Sequence, residues 1–204
     1  PMTINWFRED KCKDSVWLKS FSQHVLSRYG LHAPSSVPVS NEERNAYNIT
    51  LILREDYVAH PRDFNGGKRH NKISNPDDLM ASMPQGEQIN AQSVQMAFLP
   101  FEKQLELIRN TNILIGMHGA AMTYIPFLND NAIVIELVPK AGLVKFHFQN
   151  LSAWASKGYI LWRNPNPTNE VDEFTTKVDV EEFQKLVNRA MHMLEEKWDA
   201  HREG

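Results

Sequence analysis

A chain of 204 residues, 42% hydrophobic and 23% charged, has enough apolar material for one substantial core. Its formal net charge of −3 excludes the dense basic face that nucleic-acid-binding proteins turn towards phosphates, so nucleic acid is not an expected partner. No window reaches the roughly 18 uninterrupted apolar residues of a bilayer span, and the opening PMTINWFRED lacks the apolar stretch of a signal peptide, so no membrane segment is expected in this chain. Cys12 is the single cysteine, which rules out an internal disulfide and a Cys/His metal knuckle but leaves pairing with a cysteine of a preceding segment open.

In chain order, DSVWLKSFSQHVLSRY puts Val16, Phe21, Val25 and Leu26 near helical spacing, with Asp14 or Ser15 as cap and Gly30 as stop. The following LHAPSSVPVSNEERNAY is rich in Pro, Ser and charge and reads as a connection, so residues 1–47 are assigned to a leading, inter-domain region and 48–204 to the main domain. Asn48 to Leu53 is a buried strand ending on Arg54, and a polar loop runs from there to about Ser74. Asn75 as cap with Pro76 at the first helical position starts a helix in NPDDLMASM. QINAQSVQMAFLP holds a weakly alternating strand, PFEKQLELIRNT a helix with Phe101, Leu105 and Ile108 on one face, and NILIGM another buried strand.

After the turn HGAAM a short helix is expected, then NAIVIELVP as a strand, LVKFHFQNLSAWASKG as a helix closed by Gly158, YILWR as a strand, and DVEEFQKLVNRAMHMLEEKW as a capped amphipathic helix. Short apolar strands alternating with helices predict βαβ units and an α/β, Rossmann-like parallel sheet flanked by helices.

In open parallel sheets ligands bind outside the carboxyl ends of strands, where loops and helix N-termini converge. His118, Gly119 and Ala120 stand at such an end. The small residues let backbone amides approach an anion closely, or else form a plain tight turn in which a backbone carbonyl satisfies His118. Arg54 stands at another strand end, and Arg62, Lys68, Arg69, His70 and Lys72 follow it. A guanidinium there can clamp a phosphate through two hydrogen bonds, whereas an ordinary solvated loop would also carry such charges. Glu136 interrupts an apolar run, either to accept hydrogen bonds from ribose hydroxyls or because the strand's end is exposed.

The dinucleotide fingerprint G-x-G-x-x-G, the serine-hydrolase G-x-S-x-G and metal spacings such as H-x-x-x-H are absent, so neither a nicotinamide or flavin cofactor nor a metal site is predicted. Asn48-Ile49-Thr50 and Asn150-Leu151-Ser152 are N-glycosylation sequons.

The run FEKQLELIRNTNILIGMHGAAMTYIPFLNDNAIVIELVP resembles the C-terminal half of glycosyltransferase family 61, and LKSFSQHVLSRYG, ITLILRE, YILWR and DVEEFQKLV extend the likeness over most of the chain. Ala121 and Met122 stand where the family commonly has Gly and Leu, and the loop between Arg54 and Arg69 is longer than its counterparts. The resemblance implies the donor-binding half of a GT-B enzyme, with Arg54, Arg69 and Lys72 on the diphosphate, His118, Gly119 and Ala120 beside the nucleotide, and Glu136 on the ribose.

It further implies inverting transfer of GlcNAc or xylose from a UDP-sugar to a glycoprotein or glycan hydroxyl, in the endoplasmic reticulum or Golgi lumen. A separate N-terminal acceptor domain would supply the general base, and a divalent-metal requirement stays open. A non-catalytic module that keeps the fold without transfer is the rival expectation, whereas a Rossmann-like methyltransferase would need a glycine-rich turn after its first strand, where LILREDYV has none.

Overall fold

The computed structural model describes residues 12–31, 46–54, 71–140, 146–172 and 175–200. Five strands, β1 (Tyr47–Leu53), β3 (Ile89–Gln95), β4 (Ile113–Met117), β5 (Ile133–Val138) and β6 (Gly158–Arg163), form an all-parallel sheet in the order β3-β1-β4-β5-β6. Three short strands, β2 (Lys72–Ile73), β7 (Glu170–Asp172) and β8 (Thr175–Thr176), form a second sheet in the order β2-β8-β7. Among the described residues no helix is long and apolar enough to cross a membrane.

Every residue of β4 and β5 is buried, as a parallel sheet covered on both faces requires. Alternation divides their side chains between two layers. Ile113, Ile115, Met117, Ile133, Ile135 and Leu137 pack against α2 (Pro76–Ala81) and α5 (Val180–Ala200) through Leu79, Phe183, Val187 and Leu194. Leu114 and Val134 point the other way, towards α1 (Val16–Arg28), α3 (Phe101–Arg109) and α4 (His147–Trp154), meeting Leu26, Leu105, Ile108 and Phe148. Each such aliphatic side chain contributes about 1.5–3 kcal/mol on burial, so the two layers together make this sheet the rigid platform of the chain.

Several local expectations change. Helix α1 is capped by Ser15, whose hydroxyl accepts from the Leu18 N–H, and Gly30 takes the left-handed conformation after it. Its buried face, however, is Ser22 and Leu26, while Val16, Trp17 and Phe21 are exposed. Phe101 likewise lies exposed at the start of α3, with Leu105 and Ile108 fully buried. Part of the loop expected up to Ser74 is strand β2.

Asn75 does precede α2, but its side chain makes no cap bond to that helix. Its amide instead pairs with the backbone of Val178, Nδ2 donating to the carbonyl and Oδ1 accepting from the N–H, both at 3.0 Å. The start of α2 is thereby tied to the entry of α5, where Asp179 caps the helix by accepting from the Glu182 N–H at 2.9 Å.

Gly158 is the first residue of β6 and does not close α4; Ser156 takes the left-handed position instead. Glycine is required for a packing reason, because a Cβ at Gly158 would lie 2.3 Å from Cδ1 of fully buried Ile133. Gly158→Ala is expected to destabilise the fold by about 1–3 kcal/mol through overpacking, read as a lower denaturation midpoint with an unchanged slope. An unchanged midpoint would show that Ile133 has room to move.

The strand order places the candidate site. From β1 the chain moves to β3 on one side and then returns to β4 on the other, so the direction of winding reverses between β1 and β4. A crevice opens at such a reversal, outside the carboxyl ends of the two strands. Leu53 and Met117 end those strands, and Arg54 and His118 come next.

Candidate functional site

Arg54 and His118 meet at this crevice. The Arg54 guanidinium lies across the turn after β4, so close that a Cβ at Gly119 would sit 2.1 Å from Nη1. Nη1 donates to the His118 carbonyl at 3.4 Å, and Nδ2 of Asn71 donates to the same oxygen at 3.0 Å. The turn leads into the expected short helix, which is a 3-10 helix, Ala120–Phe127, containing Pro126. Its first N–H groups lack intrahelical partners by construction and carry the positive end of the local dipole. Met122, fully buried, packs onto Gly116, where a Cβ would lie 3.1 Å from its sulfur. Ala120 is exposed at the mouth of the turn and Ala121 half-buried.

Behind the turn, His118, Glu136 and Tyr159 form a chain of hydrogen bonds. The Glu136 carboxylate is 1% exposed, with Nδ1 of His118 against Oε1 and the Tyr159 hydroxyl donating to Oε2. Glu136 is not at an exposed strand end: it is buried, and each of its oxygens holds one protein donor. The partner of His118 is this carboxylate, not a backbone carbonyl.

A carboxylate acceptor fixes the proton on Nδ1 and turns Nε2 outward as an acceptor, or as a second donor in the imidazolium. The His118 side chain remains 18% exposed. It packs against His147 and Phe148 at ring-centroid distances of 5.3 and 5.1 Å, the latter edge-on. Burial, reinforced by the Glu136 charge, raises the Tyr159 hydroxyl well above the usual tyrosine range, so Tyr159 stays a proton donor.

Two cavities flank Arg54. The larger, about 440 Å³, is lined by Ile52, Met96, Phe98, Ala120 and Tyr124 and is mainly apolar. Gln104 braces its wall, with Nε2 donating to the carbonyls of Met96 and Leu99 at 2.9 and 2.7 Å and Oε1 accepting from the Tyr124 hydroxyl. The smaller, about 120 Å³, lies between Arg54, Asn71, Pro76 and Met117. A cation, a turn rich in N–H donors and an adjoining apolar cavity together suit a ligand with an anionic part and a flat, weakly polar part.

Lys72 is brought into the neighbourhood by β2, next to Asn71 and paired in register with Thr175 of β8. Arg69, with Arg62, Lys68 and His70, lies outside the described residues. Among the described residues no group of three or more His, Cys, Asp or Glu side chains is arranged to hold a metal ion. Of the two sequons, Asn48 lies half-buried within β1 and accepts from Asn90 at 3.2 Å. Asn150, the other sequon residue, is buried in α4, a position with little room for a bulky glycan.

Sequence reasoning missed Tyr159, Asn71 and His147. A signal existed for Tyr159: an acid inside an apolar strand needs donors, and alternation in YILWR puts Tyr159 on the face opposite buried Ile160 and Trp162, the face that Glu136 uses.

Comparison with known proteins points to one family. The profile of the family described as Glycosyltransferase 61 matches residues 15–135, from the cap of α1 into β5, and so includes Arg54 and His118. The chain is 31% identical over 203 residues to the EGF domain-specific O-linked N-acetylglucosamine transferase of Canis lupus familiaris, covering 92% of this chain and 35% of that protein. It is 32% identical over 126 residues to the protein of the same description from Drosophila melanogaster, covering 62% of this chain and 21% of that one. To the beta-1,2-xylosyltransferase of Arabidopsis thaliana it is 24% identical over 191 residues, covering 84% and 35%. The chain thus spans about a third or less of the length of these relatives.

Proposed function

Because the chain belongs to glycosyltransferase family 61, we propose that it forms the nucleotide-sugar-binding domain of an inverting GT-B glycosyltransferase. The donor is a UDP-sugar carrying GlcNAc or xylose, and the acceptor is a glycoprotein or glycan hydroxyl in the lumen of the endoplasmic reticulum or Golgi. The observation that carries this reading is the meeting of Arg54 with the His118-Gly119 turn where the strand order reverses.

Transfer builds negative charge on the departing diphosphate, and fixed cations and N–H dipoles lower the barrier by being in place before that charge develops. Arg54 supplies the cation, with Lys72 and Arg69 as further candidates from the adjoining segment. The first N–H groups of the Ala120 turn supply the dipoles. His118, held by Glu136 and Tyr159, presents Nε2 to the ligand, and Glu136 acts through it as a positioning residue. The apolar cavity beside Phe98 and Tyr124 receives the base. Deprotonation of the acceptor hydroxyl is assigned to a residue of an acceptor domain preceding this one.

Calorimetric titration with UDP tests the reading. The intact protein is expected to bind UDP, and His118→Ala to weaken binding about tenfold by removing one oriented ring nitrogen. A folded, intact protein that binds neither UDP nor UDP-sugars overturns it. Product analysis with UDP-GlcNAc and UDP-xylose separates an active transferase from a module that binds without transferring.

A further inference from the structure

A third cavity, of about 410 Å³, lies at the other end of the sheet. Asp130 and Lys157 line it just before β5 and β6 begin, whereas Arg54 and His118 follow the ends of β1 and β4. With strands of five to seven residues at ~3.3 Å per residue, the two sites are roughly 20 Å apart.

This cavity is built in a particular way. Leu18, Leu26 and Leu31, contributed by α1 and its exit, face Leu128 across it. Lys157 is buried, with its side chain 4% exposed, and its Nζ faces the half-exposed Asp130 at 3.6 Å, longer than a good hydrogen bond. Arg109, also buried, donates Nη1 to the Leu128 carbonyl at 3.1 Å, while its Nε is buried without a hydrogen-bond partner. Buried donors on cations without close acceptors are costly, and an acceptor in the cavity would remove that cost.

We propose that this cavity is a second ligand site, which takes a small carboxylate with an apolar body. The carboxylate would accept from Lys157 Nζ beside the Arg109 guanidinium, displacing Asp130 towards solvent, while the hydrocarbon part lies among the leucines. An ammonium whose present acceptor is distant, with a second cation next to it, favours a carboxylate, and the apolar wall favours a chain or ring attached to it.

The charges around Lys157 also predict how binding depends on pH. Burial, helped by Arg109 and Lys197 and opposed by Asp130, pulls the Lys157 amine down to about 8. Lys197 of α5 donates to the Ser156 carbonyl at 3.2 Å, and Lys19 of α1 pairs with Asp14. The proton on Lys157 is needed to hold a carboxylate, so affinity is full below this range and falls as pH rises through it.

Calorimetry on the intact protein with hexanoate tests this, with hexan-1-ol and inorganic phosphate as comparison ligands. Hexanoate is expected to bind saturably with Kd on the order of 1 mM at pH 7, and severalfold more weakly at pH 9.5. Lys157→Met keeps an unbranched side chain one atom shorter and removes a buried charge, so it is expected to fold, to lose at least tenfold in hexanoate affinity, and to bind UDP as before. Asp130→Asn removes the competing acid from a half-exposed position and is expected to tighten hexanoate binding severalfold. Hexanol binding as tightly as hexanoate, phosphate binding in its place, or hexanoate affinity unchanged in Lys157→Met would each overturn the proposal.

Discussion

Arg54→Ala is expected to weaken UDP binding by about 2–3 kcal/mol, roughly a hundredfold in Kd, without lowering the melting temperature. The first part follows from removing the cation proposed to face the diphosphate in a partly desolvated crevice. The second follows from the modest native role of the guanidinium among the described residues, a long hydrogen bond of 3.4 Å to the His118 carbonyl, which Asn71 also serves. Arg54→Lys is expected to recover part of the loss, since a point charge remains but the two-pronged geometry does not. Gly119→Ala provides a separate probe. Its methyl group would meet Nη1 at 2.1 Å and would put a Cβ at a φ of +159°, which side-chain-bearing residues rarely adopt, so the guanidinium is pushed off and the turn itself is strained. UDP affinity is expected to fall towards that of Arg54→Ala. Parent-like affinity in Arg54→Ala would remove Arg54 from the site altogether.

Glu136→Ala is expected to be the most destabilising single change at the site, by about 3 kcal/mol, or ~10 °C in melting temperature for a domain of this size. Two buried donors, Nδ1 of His118 and the Tyr159 hydroxyl, lose their common acceptor, and a cavity opens beside β5. Glu136→Gln retains an acceptor and the shape, so it is expected to cost less and to reveal the positioning role as a drop in UDP affinity. Tyr159→Phe separates the two arms and adds a pH signature. The folded protein holds the Tyr159 proton above 10.0, where the unfolded chain releases it, so above that pH the unfolded state binds fewer protons and stability declines. Tyr159→Phe is expected to lose stability at pH 7 and to decline less steeply above pH 10. A Glu136→Ala protein that melts like the parent would show that water replaces the carboxylate.

The parts of this architecture that the amino-acid sequence discloses are those governed by neighbouring residues. Ile113 to Met117 is a continuous apolar run and Ile133 to Val138 is one broken only by Glu136, a pattern that a doubly covered strand accommodates, and Arg54 and His118 are legible as strand-end residues for the same reason. What escapes local reading depends on distant partners. The apolar stripe of α1 points Val16 and Phe21 outward, because the face that meets the sheet is chosen by packing and not by helical period alone. Asn75 looks like a helix cap, but a closer bargain with Val178, 103 residues away, claims both ends of its amide. Gly158 looks like a helix stop until Ile133 is seen beside it. Glu136 was legible as an anomaly but not as the link between His118 and Tyr159, since its partners lie on two other segments.

The pairing of β1 with β4 has a consequence for how this chain acquires binding ability. Arg54 and His118 are 64 residues apart and become neighbours only when those two strands, the centre of the sheet, lie side by side. Closing so long a stretch of chain is entropically slow, and nothing local rewards it in advance. Formation of the crevice and formation of the core are therefore one event, and no partly folded species with a complete crevice should accumulate. A ligand held there would bridge both strands, so saturation at a hundred times Kd would protect the sheet from unfolding by about 2.7 kcal/mol.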